Sequence, residues 1–397
     1  MKKIGFVIPW YGEDIPGGAE MELRGLVHHL KDAGMELEIL TTCVKEFTSD
    51  WNVNYHRDGL TDVNGIAVRR FKVRKRDTQA FDGVNTKLMN GQMLTKDEEQ
   101  TFVREMVNSD ALYEYMEKHK DEYGLYVFIP YMFGTTYHGS LVCPQKTVLI
   151  PCFHDETYIY MRIFREAYSK VAGIIYNARP EYDLMQPIYD LEHTEQEVIG
   201  VGMDTDIRYD KERFYAKYDI RDPFIVYAGR KDEGKNIYTL IRYFEKYKER
   251  IGNNLKLVLI GGGKVEIPDG IKGDVHDLGF VDRQDKYDII AASQLLCQPS
   301  KNESFSIVIM ESWLCGRPAL VHQSCEVTKH FVQDSNGGLY SSNYMEFEGC
   351  INYILDHPEE AKAMGENGCR YVKEHFDWPV VVKKYQDFFK RVIEKYQ

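Results

Sequence analysis

The chain has 397 residues, 43% of them hydrophobic and 28% charged, with a formal net charge of −12 at pH 7. That length exceeds what one hydrophobic core usually supports, so two domains of comparable size and a soluble globular character are expected. The acidic balance argues against general nucleic-acid binding, and no segment approaches the ~20 apolar residues of a membrane-spanning helix.

The opening stretch MKKIGFVIPWYG pairs two lysines with an apolar run too short for a signal peptide, so a cytoplasmic location is expected. Ile4 to Pro9 reads as a strand buried on both faces. After a Gly-rich turn, Ala19, Leu23, Leu26, Val27 and Leu30 recur at helical spacing, with Gly34 suited to the C-terminal cap. Leu37 to Thr42 is the next strand, which completes a βαβ unit. The stretch VRRFKVRKR, Val68 to Arg76, then sets six basic residues among nine. Two readings stand. One is a solvated edge strand whose cations discourage edge pairing. The other is contact of Arg69, Arg70, Lys72, Arg74, Lys75 and Arg76 with an anionic membrane or a phosphorylated acceptor.

Residues Asp77 to Glu99 are polar and weakly patterned, which predicts a mobile loop. Strands follow at Leu125 to Pro130, Thr147 to Pro151, Ala172 to Asn177 and Glu197 to Gly202. A connection is expected near Gly202 to Asp222. A second cycle starts at Pro223 to Gly229, with a helix whose inward face is Ile237, Leu240, Ile241 and Phe244. It continues through Leu255 to Gly263, Leu295 to Ser300, a helix around Glu311, and Arg317 to His322. Alternation of this kind implies α/β architecture, with two doubly wound Rossmann-like domains facing across a cleft. The chain closes on a helix whose stripe is Val381, Tyr385, Phe388, Val392 and Tyr396. Eight cysteines without close Cys-x-x-Cys pairing read as reduced, mostly buried side chains.

The stretch SKNESFSIVIMES raises the functional question, because it sets Glu303 and Glu311 beside an expected helix N-terminus, a place that favours anions. Carboxylates there suit sugar hydroxyls, since each can accept more than one hydrogen bond. With Glu303 before the helix and Glu311 two turns inside it, a rise of ~1.5 Å per residue separates them by roughly 10 Å, the span of a diphosphate between two sugars. In AGRKDEGKN, Arg230 and Lys235 lie on a loop after a strand and supply cations for that diphosphate. LIGGG and LGFVD add turns at other strand ends, where Gly262, Phe280 and Val281 can meet a nucleobase. The Asp-x-Asp spacing of Asp204 and Asp206 reads as an Asx turn or a helix cap rather than a metal site.

The second half, through AGRKDEGKN, LIGGG, LGFVD, the Glu-x7-Glu stretch and LCGRPALVHQSCEV, resembles the donor domain of family 4 retaining glycosyltransferases, which have the GT-B fold. PGGAE and FHDE resemble the family in the first half, and the last helix is similar to the one that returns to the first domain. The resemblance implies an N-terminal acceptor-side domain, 1–203 completed by 379–397, and a donor domain, 204–378. It implies transfer of a sugar from a nucleotide-diphosphate donor to a hydroxyl of a glycan or lipid-linked glycan, with retention, needing neither metal nor cofactor. Arg230 and Lys235 would clamp the diphosphate, Glu311 the ribose, and Glu303 the transferred sugar. Backbone amides at Phe305, Ser306 and Ile307 would meet phosphate or sugar, Gly17 and Gly18 would admit the donor, and His154 would approach the donor sugar. Ser306 departs from the glycine common in the family. A role in polysaccharide assembly at the inner membrane face is expected. Rival readings are a nucleotide-sugar epimerase, a phosphorylase, and a non-catalytic sugar-nucleotide-binding subunit.

Overall fold

A computed structural model describes residues 2–15 and 17–396. Pro16, the first residue of PGGAE, lies outside the described residues, as do Met1 and Gln397, the outer limits of the expected first domain. The chain divides into two compact units: Met1–Gly202 with Val381–Gln397, and Met203–Val380.

Unit 1 is built on an eight-stranded sheet: β1 (Lys3–Val7), β2 (Leu37–Thr42), β3 (Gly59–Val63), β4 (Ile66–Phe71), β5 (Tyr123–Phe128), β6 (Thr147–Leu149), β7 (Gly173–Tyr176) and β8 (Glu195–Val198). Their spatial order is β3-β4-β2-β1-β5-β6-β7-β8, parallel throughout except for the β3–β4 pair. The central strands are buried on both faces, which is why they read as unbroken apolar runs rather than as alternation. The helix Gly18–Asp32 buries Leu23, Leu26, Val27 and Leu30, spaced to form one face.

Two expectations fail in this unit. Residues 77–99 are not a loop but carry the helices Thr78–Met89 and Lys96–Arg104. Asp77 caps the first, a Thr95–Glu98 capping box starts the second, and Phe81, Val84, Leu88, Phe102 and Val103 are buried. The basic stretch is not an edge strand either, because β3 covers β4 and is itself the edge. Most of its cations are engaged internally: Arg69 pairs with Glu38 at 2.7 Å, Arg74 with Asp110 at 3.0 Å, and Arg76 lies 4.8 Å from the Trp51 ring.

Unit 2 holds six parallel strands: β9 (Phe224–Ala228), β10 (Lys256–Ile260), β11 (Val275–Gly279), β12 (Leu296–Gln298), β13 (Ala319–His322) and β14 (Gly338–Ser341). Their order is β11-β10-β9-β12-β13-β14, so the winding reverses between β9 and β12. The connection from unit 1 contains a helix that the sequence pattern did not reveal, Lys211–Tyr218, capped by Asp210 and anchored by buried Phe214 against Phe224. Each unit has its own apolar core. The last helix, Trp378–Tyr396, buries Val381, Tyr385, Phe388, Phe389 and Val392 in unit 1, where the Phe6 and Phe389 rings lie 6.5 Å apart. Among the described residues no helix is long and apolar enough to cross a membrane.

Candidate functional site

In an open α/β sheet the ligand crevice forms at the carboxyl ends of the strands, where the winding reverses. In unit 2 the loops after β9 and β12 flank that point, and these are the loops that carry Lys235 and Glu303. The β9 loop tightens into a short turn, Glu233–Lys235, because the Asp232 side chain accepts from the Lys235 amide at 3.0 Å. Asn236 follows in the left-handed region (φ 57°) and donates from Nδ2 to the Pro299 carbonyl at 2.9 Å, joining the two loops. Lys235 Nζ then meets Glu303 Oε1 at 2.7 Å. The side chains are 25% and 10% exposed, so the pair is shielded yet reachable. Arg230 is exposed, 3.4 Å from Asp232, and is free to reorient toward an anion.

Glu311 lies on the helix Ile307–Leu314 and is 5% exposed. It sits just over one turn inside that helix rather than the expected two, because the helix starts only at Ile307. Its Oε1 is held at 2.5 Å by Lys286, a residue the sequence reading passed over. Lys286 stands in the first turns of the helix Arg283–Ala292, where a cation opposes the helix dipole; that mismatch was the available signal. Ser306 caps the Glu311 helix in the left-handed region, φ 76°, with Gln298 Nε2 donating to its hydroxyl at 3.4 Å. A non-glycine residue there stores local strain of the kind found at binding sites. Phe305 is buried against Phe331 and Phe376, so only its backbone is available to a ligand.

The loops assigned to the base are tied by a second overlooked lysine. Lys231, its side chain 1% exposed, bonds Asp277 Oδ1 at 2.5 Å, and its amide donates to the Gly262 carbonyl at 2.8 Å. Asp277 also accepts from the Gly279 amide at 3.0 Å, so an ion pair with its lysine buried and its aspartate partly exposed ties the loops after β9 and β10 to β11. Gly261, at φ 122°, is required because any Cβ would collide with the Gly229 carbonyl; Gly262 itself has open space around it. Phe280 is 87% exposed, a bare aromatic face beside half-buried Val281.

Within unit 1, Gly17 caps its helix at φ 145°, and the Glu20 carboxylate occupies the place of a side chain. Trp10 Nε1 donates to that carboxylate at 2.6 Å. Gly18 opens the helix in free space. His154 Nε2 lies 3.2 Å from Glu156 Oε2, and the Tyr131 hydroxyl donates to Glu156 Oε1 at 2.8 Å. Behind this loop, Glu181 accepts from the Phe153 and Asn177 amides, both at 2.6 Å, while Glu22 accepts from Asn177 Nδ2 at 3.0 Å. Burial pushes both carboxyls up to about 8.

Asp204 neither caps a helix nor forms an Asx turn: its Oδ2 accepts from Arg283 Nη2 at 2.6 Å. Among the described residues no three His, Cys, Asp or Glu side chains converge as metal ligands, and all eight cysteines are free.

Residues 210–370 match the family described as Glycosyl transferases group 1. The D-inositol 3-phosphate glycosyltransferase of Corynebacterium aurimucosum is 23% identical over 54% of this chain and 56% of its own length. The chain spans about half the length of the curated relatives it matches. Sucrose-phosphate synthase from Thermosynechococcus elongatus superposes with a TM-score of 0.72 at 16% identity, covering 99% of this chain and 100% of that one. HepE of Anabaena, in complex with UDP and glucose, gives 0.69 at 17% identity over 98% and 100% of the two chains. The fold is therefore GT-B, two Rossmann-like domains.

Proposed function

We propose that this chain, whose residues 210–370 carry a group 1 glycosyltransferase domain, transfers a sugar from a nucleoside-diphosphate donor to a hydroxyl group with retention of anomeric configuration. The observation that carries this reading is the pairing of both glutamates of the Glu-x7-Glu stretch with lysines, Lys235–Glu303 and Lys286–Glu311, around the point where the unit 2 sheet reverses.

Lys235 and Arg230 take the diphosphate, Glu303 the hydroxyls of the transferred sugar, Glu311 the ribose, and Phe280 stacks on the base. Amides at Phe305, Ser306 and Ile307 complete the phosphate cradle at the helix N-terminus. As the glycosidic oxygen leaves, negative charge grows on the diphosphate; Lys235 and Arg230 stabilise it without a metal. The leaving oxygen accepts the acceptor's proton on the same face, so no enzymic nucleophile is needed. The acceptor is a glycan or lipid-linked glycan in surface polysaccharide assembly. Contact with the inner membrane face would fall to Lys72 and Lys75, the exposed members of the basic stretch.

UDP leads the candidate donors because the related fold of HepE holds it. Thermal stabilisation by UDP, GDP, dTDP, CMP and ADP tests the reading. One nucleoside diphosphate should stabilise the chain, and Lys235→Ala should abolish the effect while lowering turnover far more than stability. Equal loss of both removes Lys235 from the clamp. Turnover of donor without acceptor would favour an epimerase, phosphate dependence a phosphorylase, and binding without turnover a supporting subunit.

A further inference from the structure

Arg70 is the one cation of the basic stretch drawn into the interior, and it is 7% exposed. Among the described residues no carboxylate lies within ion-pair distance of its guanidinium, whereas neighbouring Arg69 has Glu38 at 2.7 Å. Arg70 donates from Nη1 to Thr61 Oγ1 at 2.8 Å and from Nη2 to the Tyr11 carbonyl at 3.0 Å, both neutral acceptors, and its Nε has no partner. A buried cation without a counter-charge is unfavourable unless an anion joins it.

Its surroundings share the deficit. Tyr11 is 1% exposed and its hydroxyl is unpartnered, as are Thr41 Oγ1, on the strand position paired with Arg70, and His56 Nε2. Burial first and the Arg70 charge second keep His56 below the usual histidine range. Glu13, whose charge also reaches Tyr11, stands 3.7 Å from His28 Nε2 and makes no ion pair with Arg70. All these groups gather where β1, β2 and β4 end, at the carboxyl edge of the unit 1 sheet.

We propose that Arg70, Tyr11, Thr41 and His56 form an oxyanion-binding site in unit 1, built for a phosphate group. A guanidinium with an unused Nε offers the planar fork that phosphate oxygens match, and two hydroxyls and an imidazole supply further hydrogen bonds. The site does not depend on the glycosyltransferase reading. It fits the phosphate of a phosphorylated acceptor or free inorganic phosphate equally, and competition separates these sources.

The test is calorimetric titration of the full chain with inorganic phosphate at constant ionic strength. Wild type should bind. Tyr11→Phe and Arg70→Lys should each weaken binding five-fold or more, and Glu13→Gln should strengthen it by removing a like charge. Lys235→Met separates this site from the unit 2 clamp and should leave a phosphate heat intact. If Arg70→Lys fails to fold, Tyr11→Phe, which keeps the ring, decides alone. Displacement of phosphate by glucose 1-phosphate would assign the site to a phosphorylated ligand; no displacement would assign it to the free ion. No phosphate heat, an equal response to chloride, or binding that survives Tyr11→Phe yet vanishes with Lys235→Met would overturn the proposal.

Discussion

Lys286 shows what a single ion pair does at a binding edge. A carboxylate as buried as Glu311 would lose much of its hydration without compensation, and Lys286 both neutralises it and fixes one oxygen, leaving the other for the ribose hydroxyls proposed above. Lys286→Met should therefore weaken nucleotide binding about ten-fold, equivalent to about 1.4 kcal/mol, with a much smaller change in melting temperature. An unchanged dissociation constant would remove Lys286 from the site. A second buried carboxyl gives a pH signature. Glu22 rises from its ordinary 4.5 to about 8 because burial disfavours its charge. Between those values the folded chain holds a proton that the unfolded chain has released, so stability falls as pH rises from about 4.5 to about 8 and levels off above. Glu181 acts in the same direction. Glu22→Gln should flatten the slope of unfolding free energy in that window, by up to about 1.4 kcal/mol per pH unit; an unaltered slope would mean that Glu22 ionises freely in the folded state.

Elements differ in how openly the sequence announced them. The central strands and the helix starting at Ile237 were legible because burial on both faces, or on one helical face, leaves an unbroken pattern in residues such as Ile225, Val226, Leu240 and Phe244. The helices at Thr78–Met89 and Lys96–Arg104 were not, since they bury only a few apolar residues each among polar ones; their caps at Asp77 and Thr95 were the cue. The basic stretch misled for a related reason. Charge at Arg69, Arg74 and Arg76 looked like solvent exposure, while pairing with Glu38 and Asp110 and stacking on Trp51 can only be found once distant segments meet. The same holds at the site: Glu303 and Glu311 stand out by their spacing and Lys235 by its loop after a strand, but Lys231 and Lys286 acquire meaning only through Asp277 and Glu311, which tertiary structure brings to them.

At the scale of the molecule, unit 1 is assembled from two separated pieces of chain, since Val381 to Gln397 joins it after the whole of unit 2 has intervened. From Val381 on, Val381, Val382, Tyr385, Phe388, Phe389 and Val392 of that terminal helix are buried, and at ~1.5–3 kcal/mol each their contribution rivals the ~5–15 kcal/mol stability of an entire domain. A chain ending at Val380 should lose cooperative melting of unit 1; retention of the full-length unfolding profile would show that the helix is dispensable. The divided construction also fixes an order of events during synthesis. Unit 2 is continuous in the chain and can fold as soon as it leaves the ribosome, but the first 202 residues wait for the part of the last helix that follows Val380. At ~5–20 residues per second that wait is roughly 10–40 s. The half of the protein made first is thus the half completed last, and its exposed sheet is what a nascent-chain chaperone would meet.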